Sequence, residues 1–202
     1  FMAGLQQTSL LEFVAVCAGI ASVWFSRKEN ILVYPIGLIN TIIYIYLSLK
    51  GQLYGEASVN LYYTFVSIYG WIWWSRVNKN TQEVQLKITY SNSKDQVQQW
   101  GFFASFYILI FCALTWLKTS FAPEAIPWAD AFASATAYTG MWLMAKKKVE
   151  SWYWWIATNI ASIPLYFVKH YVFTSVYYLV LLVMAVFGLI EWLKREKTQH
   201  EL

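Results

Sequence analysis

Two tryptophans and an asparagine stand at helical spacing in one short stretch, Glu150-Ser151-Trp152-Tyr153-Trp154-Trp155-Ile156-Ala157-Thr158-Asn159. Trp152, Trp155 and Asn159 fall at i, i+3 and i+7, so a helix places them on one face. Two indoles beside an amide can enclose a flat heteroaromatic ring, with the amide fixing its orientation. A cationic ring would gain about 0.5–2 kcal/mol from each indole face. The same rings also suit an aromatic belt at a membrane interface, and Tyr153 and Trp154 fit that role. Asn159 argues for a site, because an amide two turns into an apolar helix is costly when it faces lipid.

A second polar set is Glu56, Asn60, Tyr63 and Ser67, at spacings of four, three and four. This stripe either lines a cavity or ties helices together; interhelical hydrogen bonds of that kind contribute only about 0.6 kcal/mol. Asn40 and Tyr44, at i and i+4 in the preceding apolar stretch, are further candidates for the same site. Glu12 and Asp130 each sit about one turn inside an apolar stretch. They either draw a cationic solute inward or are simply solvated at the membrane surface, and the second is expected. Catalytic signatures are missing: the two histidines, His170 and His200, fall in loop or tail, and no Walker A, HExxH, GxSxG or CxxC pattern occurs. No enzyme, metal or cofactor is expected, and no ATP hydrolysis by this chain. Cys17 and Cys112 lie in apolar stretches and read as small core residues.

The elements that carry these residues are membrane spans. Of 202 residues 58% are hydrophobic and only 13% charged, against roughly 25% charged in soluble domains. Mean hydropathy is modest because twelve Trp and fifteen Tyr score low, although they suit membrane interfaces. The net charge of +4 does not point to nucleic acid, because the basic residues flank apolar stretches and form no single patch. A span needs about 20 apolar residues. Seven stretches qualify, at about 8–26, 31–49, 57–75, 97–117, 125–145, 151–168 and 172–193. The polar segment 76–96 holds a strand-like alternation over 83–90 and reads as a loop with local order. Pro35 and Pro164 fall within the second and sixth spans, as kinks that serve as hinges or as fixed shape. The Phe1-Met2-Ala3-Gly4 start has no basic n-region, so no cleaved signal peptide is expected.

Lys and Arg divide twelve against three between alternate sides, with only Lys50, Lys118 and Lys169 on the poorer side. The positive-inside rule then puts the N-terminus outside and the C-terminus in the cytoplasm. Glu12, Trp24, Asn40, Lys50, Gly70 and Trp74 recur 118 or 119 positions later as Asp130, Trp142, Asn159, Lys169, Gly188 and Trp192. Internal repetition decides architecture. The expected fold is an all-α membrane protein with seven transmembrane helices in a 3+1+3 arrangement. It is one transmembrane domain over 1–202: repeat one at 8–75, a linker helix at 97–117 and repeat two at 125–193. Because three spans are odd and the fourth returns the chain, the two three-helix repeats run parallel, as in duplicated transporters with a site between the copies.

The Trp-x-x-Trp and Asn of the sixth span, the run Gly55-Glu56-Ala57-Ser58-Val59-Asn60-Leu61-Tyr62-Tyr63 leading to Gly70-Trp71-Ile72-Trp73-Trp74, and the 3+1+3 pattern together resemble the Pnu vitamin transporters, which are similar in architecture to the SWEET sugar transporters. The resemblance covers all seven spans. It implies a bacterial inner-membrane, multi-pass homotrimer that takes up nicotinamide riboside by facilitated diffusion, feeding NAD biosynthesis through a cytoplasmic nucleoside kinase that traps the solute. On that substrate Trp152 and Trp155 suit the cationic ring, Asn159 the carboxamide, and Glu56, Asn60 and Tyr63 the ribose hydroxyls. Sibling transporters for thiamine or riboflavin share the pattern. A substrate-binding subunit of a multi-component vitamin importer is a further reading, with Ala15, Ala18, Gly19 and Ser22 as a small-residue docking face. A membrane enzyme acting on a lipid is the remote one.

Overall fold

A computed structural model describes residues 10–50, 54–76, 86–118 and 125–200, the side chains of 54–56 and 200 excepted. Among them are seven helices: α1 (Leu10–Arg27), α2 (Val33–Lys50), α3 (Tyr54–Trp74), α4 (Ser93–Leu117), α5 (Pro127–Ala145), α6 (Glu150–Val168) and α7 (Val172–His200). The chain is all-α, as expected. Four helices, α1, α2, α4 and α7, are long and apolar enough to cross a membrane. The other three have spanning length, and α5 and α6 carry buried small and polar residues that lower their hydropathy, among them Thr136, Thr139, Ser151, Thr158, Asn159 and Ser162. A helix of that composition suits an interior position, where neighbours take up its polar groups.

The chain divides into two compact units, Phe1–Lys87 and Ile88–Leu202. In the first, α2 packs against both α1 and α3; in the second, α5 packs against α4 and α6, and α6 against α7. The fourth helix, expected as a linker, is thus bound into the second unit. Its grip is aromatic: Phe102 stacks on Trp142 at 4.9 Å, Phe106 meets Tyr138 edge-on at 5.0 Å, and Trp100 and Phe103 both contact Trp154 at 5.0 Å. The i, i+4 spacing on α4 matches i, i+4 on α5, which is what antiparallel neighbours require.

Local geometry repeats between the units at an offset of 118. Glu29 and Lys147 both take a left-handed conformation, with φ of 56° and 51°. Around them Glu29 N–H donates to Ser26 O and Asn30 N–H to Phe25 O, while Lys147 N–H donates to Met144 O and Lys148 N–H to Leu143 O. That pair of bonds is a Schellman closure of the helix end. Lys28 lies over the Trp24 ring and Lys146 over the Trp142 ring, at 5.7 and 3.8 Å. Tyr34 meets Trp74 edge-on at 5.1 Å, and Trp152 meets Trp192 edge-on at 5.6 Å.

Several details differ from expectation. Helix α4 starts four residues early, because Asn92 caps it: Asp95 N–H donates to Asn92 Oδ1 at 2.8 Å, and Asp95 reciprocates. Of the strand-like 83–90, residues 83–85 lie outside the described residues, and Thr89 makes an isolated parallel bridge to Lys148. Helix α7 continues to His200, held past the expected end by an Arg195–Glu191 pair at 3.0 Å. Pro35 falls in the first turn of α2, where its missing N–H costs nothing, so only Pro164 lies inside a helix. Cys17 and Cys112 are free thiols on outward faces, not core residues; a lipid-facing position welcomes a small apolar side chain equally well.

Candidate functional site

Helix α6 carries the candidate site, and its neighbours set the direction of each side chain. Trp152 is 1% exposed. A Cβ built on Gly188 of α7 would lie 2.5 Å from its ring, so the indole lies flat on that glycine with Trp192 at its edge. Its faces are therefore covered, and its Nε1–H is buried without a hydrogen-bond partner. Trp155 turns to the other neighbour: a Cβ on Gly140 of α5 would sit 3.3 Å from its indole. Trp155 stays half-buried. The two expected ring platforms thus seat on different helices, and only Trp155 keeps surface accessible.

Asn159 is 3% exposed, and no described residue completes a hydrogen bond to its amide. The register explains the vacancy. Carrying the 118 offset along α2 and α6, as helix continuity requires, sets Asn40 opposite Thr158 and Thr41 opposite Asn159. In the first unit Thr41 shares a hydrogen bond with Thr64 of α3 at 3.0 Å. The α7 residue equivalent to Thr64 is Leu182, which offers nothing polar. Asn40 ties α2 to α1 and Thr158 ties α6 to α5: Asn40 Nδ2 donates to Ala15 O at 2.7 Å, and Thr158 shares a bond with Thr136 at 2.9 Å. Asn40 and Asn159 are therefore not structural mates, and the one-residue slip that paired them in sequence does not occur within the helix.

In the first unit Asn60 and Ser67 are buried, and Tyr44 and Tyr63 half-buried. Asn60, Tyr44 and Tyr63 all have partners. The Glu56 side chain lies outside the described residues. Of the two acids expected to be solvated, Glu12 is exposed, while Asp130 accepts a bond from Ile126 N–H and pairs with Lys169 at 2.6 Å, which joins the start of α5 to the end of α6.

Trp154, read from sequence as interfacial, is a buried anchor; its Nε1–H donates to Gln99 Oε1 at 3.2 Å. Tyr153 is exposed, as an interfacial ring should be. Sequence reasoning also missed Glu150. Its Oε1 accepts from Ser91 N–H at 2.8 Å and Gln96 Nε2 at 3.3 Å. Lys148 reinforces the same junction through Asp95 at 3.0 Å. In the adjoining turn, burial chiefly, with Lys148 acting in the same sense, pushes the Lys146 ammonium below the usual lysine range, while Asp95 opposes this. The signal was present in the i, i+3 and i, i+4 polar spacing Gln96–Gln99 and Asp95–Gln99, but it lay outside the apolar pattern.

Apolar helices with polar groups buried among them are the build of a multi-pass transporter that carries a small solute. The chain belongs to the nicotinamide mononucleotide transporter family, whose profile matches residues 9–194. It is 26% identical over 223 aligned positions to the nicotinamide riboside transporter PnuC of Escherichia coli, spanning 99% of this chain and 92% of that one. It is 31% identical over 208 positions to PnuC of Neisseria mucosa, spanning 94% and 74%. It is 18% identical over 186 positions to the riboflavin/roseoflavin transporter RibM of Streptomyces davaonensis. The crystal structure of the vitamin B3 transporter PnuC matches it with a TM-score of 0.72 and 26% identity, over 93% of this chain and 82% of that one.

Proposed function

We propose that this chain takes up nicotinamide riboside across a bacterial inner membrane. The observation that carries this is the buried Asn159, whose amide no described residue bonds, on the same helical face as the half-buried Trp155. A carboxamide answers a free amide with matched donor and acceptor, and a pyridinium ring suits an indole face. The relatives named for nicotinamide riboside support the substrate. In this reading Trp155 holds the ring and Asn159 the carboxamide. Trp152 offers its unpaired N–H in place of a ring face. Asn60, Tyr63 and Glu56 serve the ribose hydroxyls, and Asn40 and Tyr44 are further candidates for the site. The seven helices form the 3+1+3 arrangement, N-terminus outside and C-terminus cytoplasmic. Transport is facilitated diffusion in a homotrimer, drawn inward by a cytoplasmic nucleoside kinase; the sequence has no ATP-binding motif of its own.

Liposomes bearing only this chain should equilibrate labelled nicotinamide riboside without ATP and without a proton or sodium gradient. Accumulation that depends on a gradient would overturn the uniport reading. Preference for riboflavin in a titration against nicotinamide riboside, thiamine and riboflavin would favour the flavin reading, which the RibM likeness makes the second choice.

A further inference from the structure

The α1–α2 contact of the first unit and the α5–α6 contact of the second are built with opposite sizes. In the first unit a Cβ on Gly37 of α2 would sit 3.0 Å from Ser22 Oγ of α1. At the same register in the second unit stand Trp155 of α6 and Gly140 of α5, 118 residues on in both cases, with the indole resting over the glycine. The small residue has changed helices. One unit presents a serine hydroxyl that donates to Val33 O at 2.9 Å; the other presents an indole. Four residues further along, the first unit closes its polar position (Thr41 on Thr64), and the second leaves Asn159 open.

We infer that Gly140 is a positioning residue, whose missing side chain seats the Trp155 indole for the ligand's ring, and that the reversed Ser22–Gly37 pair leaves the first unit without a platform, so one chain holds one ring. This rests on the functional reading above. A methyl at Gly140 would meet the indole at 3.3 Å, tighter than ordinary contact, so the ring must shift by a few tenths of an ångström. Small displacements in a recognition site cost disproportionately when the geometry is preorganised. Alanine is also the better helix former, so Gly140→Ala by itself favours the helix. Weaker binding at unchanged or higher melting temperature therefore separates positioning from damage to the fold.

The experiment is a double-mutant cycle on the purified full-length chain, with nicotinamide riboside binding by calorimetry and thermal melts on the same samples. Gly140→Ala should weaken binding about tenfold, and in a Trp155→Phe background the same change should alter affinity less than twofold, because the smaller ring makes room. Stoichiometry should be one ligand per chain. Wild-type affinity in Gly140→Ala, an equal loss in both backgrounds, or two ligands per chain overturns the inference. If the wild type binds none of the three vitamins, the functional reading fails, and the seat is then read from Trp155 itself. With 5-fluorotryptophan incorporated, the resonance lost in Trp155→Phe should move in Gly140→Ala; an unmoved resonance overturns the seat.

Discussion

Trp152 buries its Nε1–H without a partner, and Asn159 is a buried residue whose amide no described residue bonds; both make predictions. Asn159→Leu replaces the amide with an apolar group of similar shape. It should raise the melting temperature of the ligand-free protein by the equivalent of about 1 kcal/mol or more, while abolishing uptake. A destabilised Asn159→Leu variant would mean the amide has a partner and is structural. Gly188→Ala and Gly70→Ala place a Cβ 2.5 Å from the Trp152 and Tyr34 rings, too close for either ring to stay where it is. Both should destabilise by about 1–3 kcal/mol, the usual cost of overpacking. Because these glycines are repeat mates, similar losses in both thermal melts are expected; a neutral Gly70→Ala would show that Tyr34 moves freely.

Helix α4 and the α5–α6 turn are joined by groups that have no role in the apolar pattern. Thr89 N–H donates to Lys147 O, and Val149 N–H donates to Thr89 O. Glu150 then holds Ser91 and Gln96, and Gln99 holds Trp154. The sequence explains why this is durable: Asn92 and Asp95 start the helix at a fixed residue, which sets Gln96 and Gln99 on the face toward α6. Glu150→Ala removes the acceptor shared by two partly buried donors, Ser91 N–H and Gln96 Nε2. Hydrogen exchange at Thr89, Ser91 and Val149 should speed up at least tenfold while amides in α1–α3 stay unchanged. Uniform acceleration across the chain would mean that Glu150 supports the whole fold and not this junction.

The whole chain presents two units built from one local plan, with matching turns, matching cation–aromatic contacts and matching aromatic pairs on glycine. Duplication alone would make two equal sites. The departures make them unequal: Trp155 for Gly37, Asn159 for Thr41, Leu182 for Thr64. If the twelve-to-three division of Lys and Arg sets orientation, a reporter fused after Leu202 that is active only in the cytoplasm should be active. One active only outside should be silent, and the reverse result would turn the proposed topology over.

Much was legible in the sequence because lipid enforces simple rules. Long apolar stretches must be helices, since no water is available to satisfy the backbone. Six of the seven helices therefore lie within about four residues of their expected bounds at both ends, and the seventh runs on as a polar helix beyond the apolar stretch that betrayed it. The repeat was legible through Gly70, Trp74, Gly188 and Trp192, which sequence comparison and packing align alike. What only tertiary structure decided is direction. Trp152, Trp154 and Trp155 look equivalent as letters, but Gly188, Gln99 and Gly140 send them to three different neighbours. The pairing of Asn40 with Asn159 failed for a related reason: a one-residue gap costs nothing in an alignment, but in a helix it turns a side chain by 100°, which packing does not allow. Periodicity reports which residues share a face; which neighbour meets that face, and whether a polar atom finds its partner there, depends on residues of a different helix, as far off as Gln99 is from Trp154.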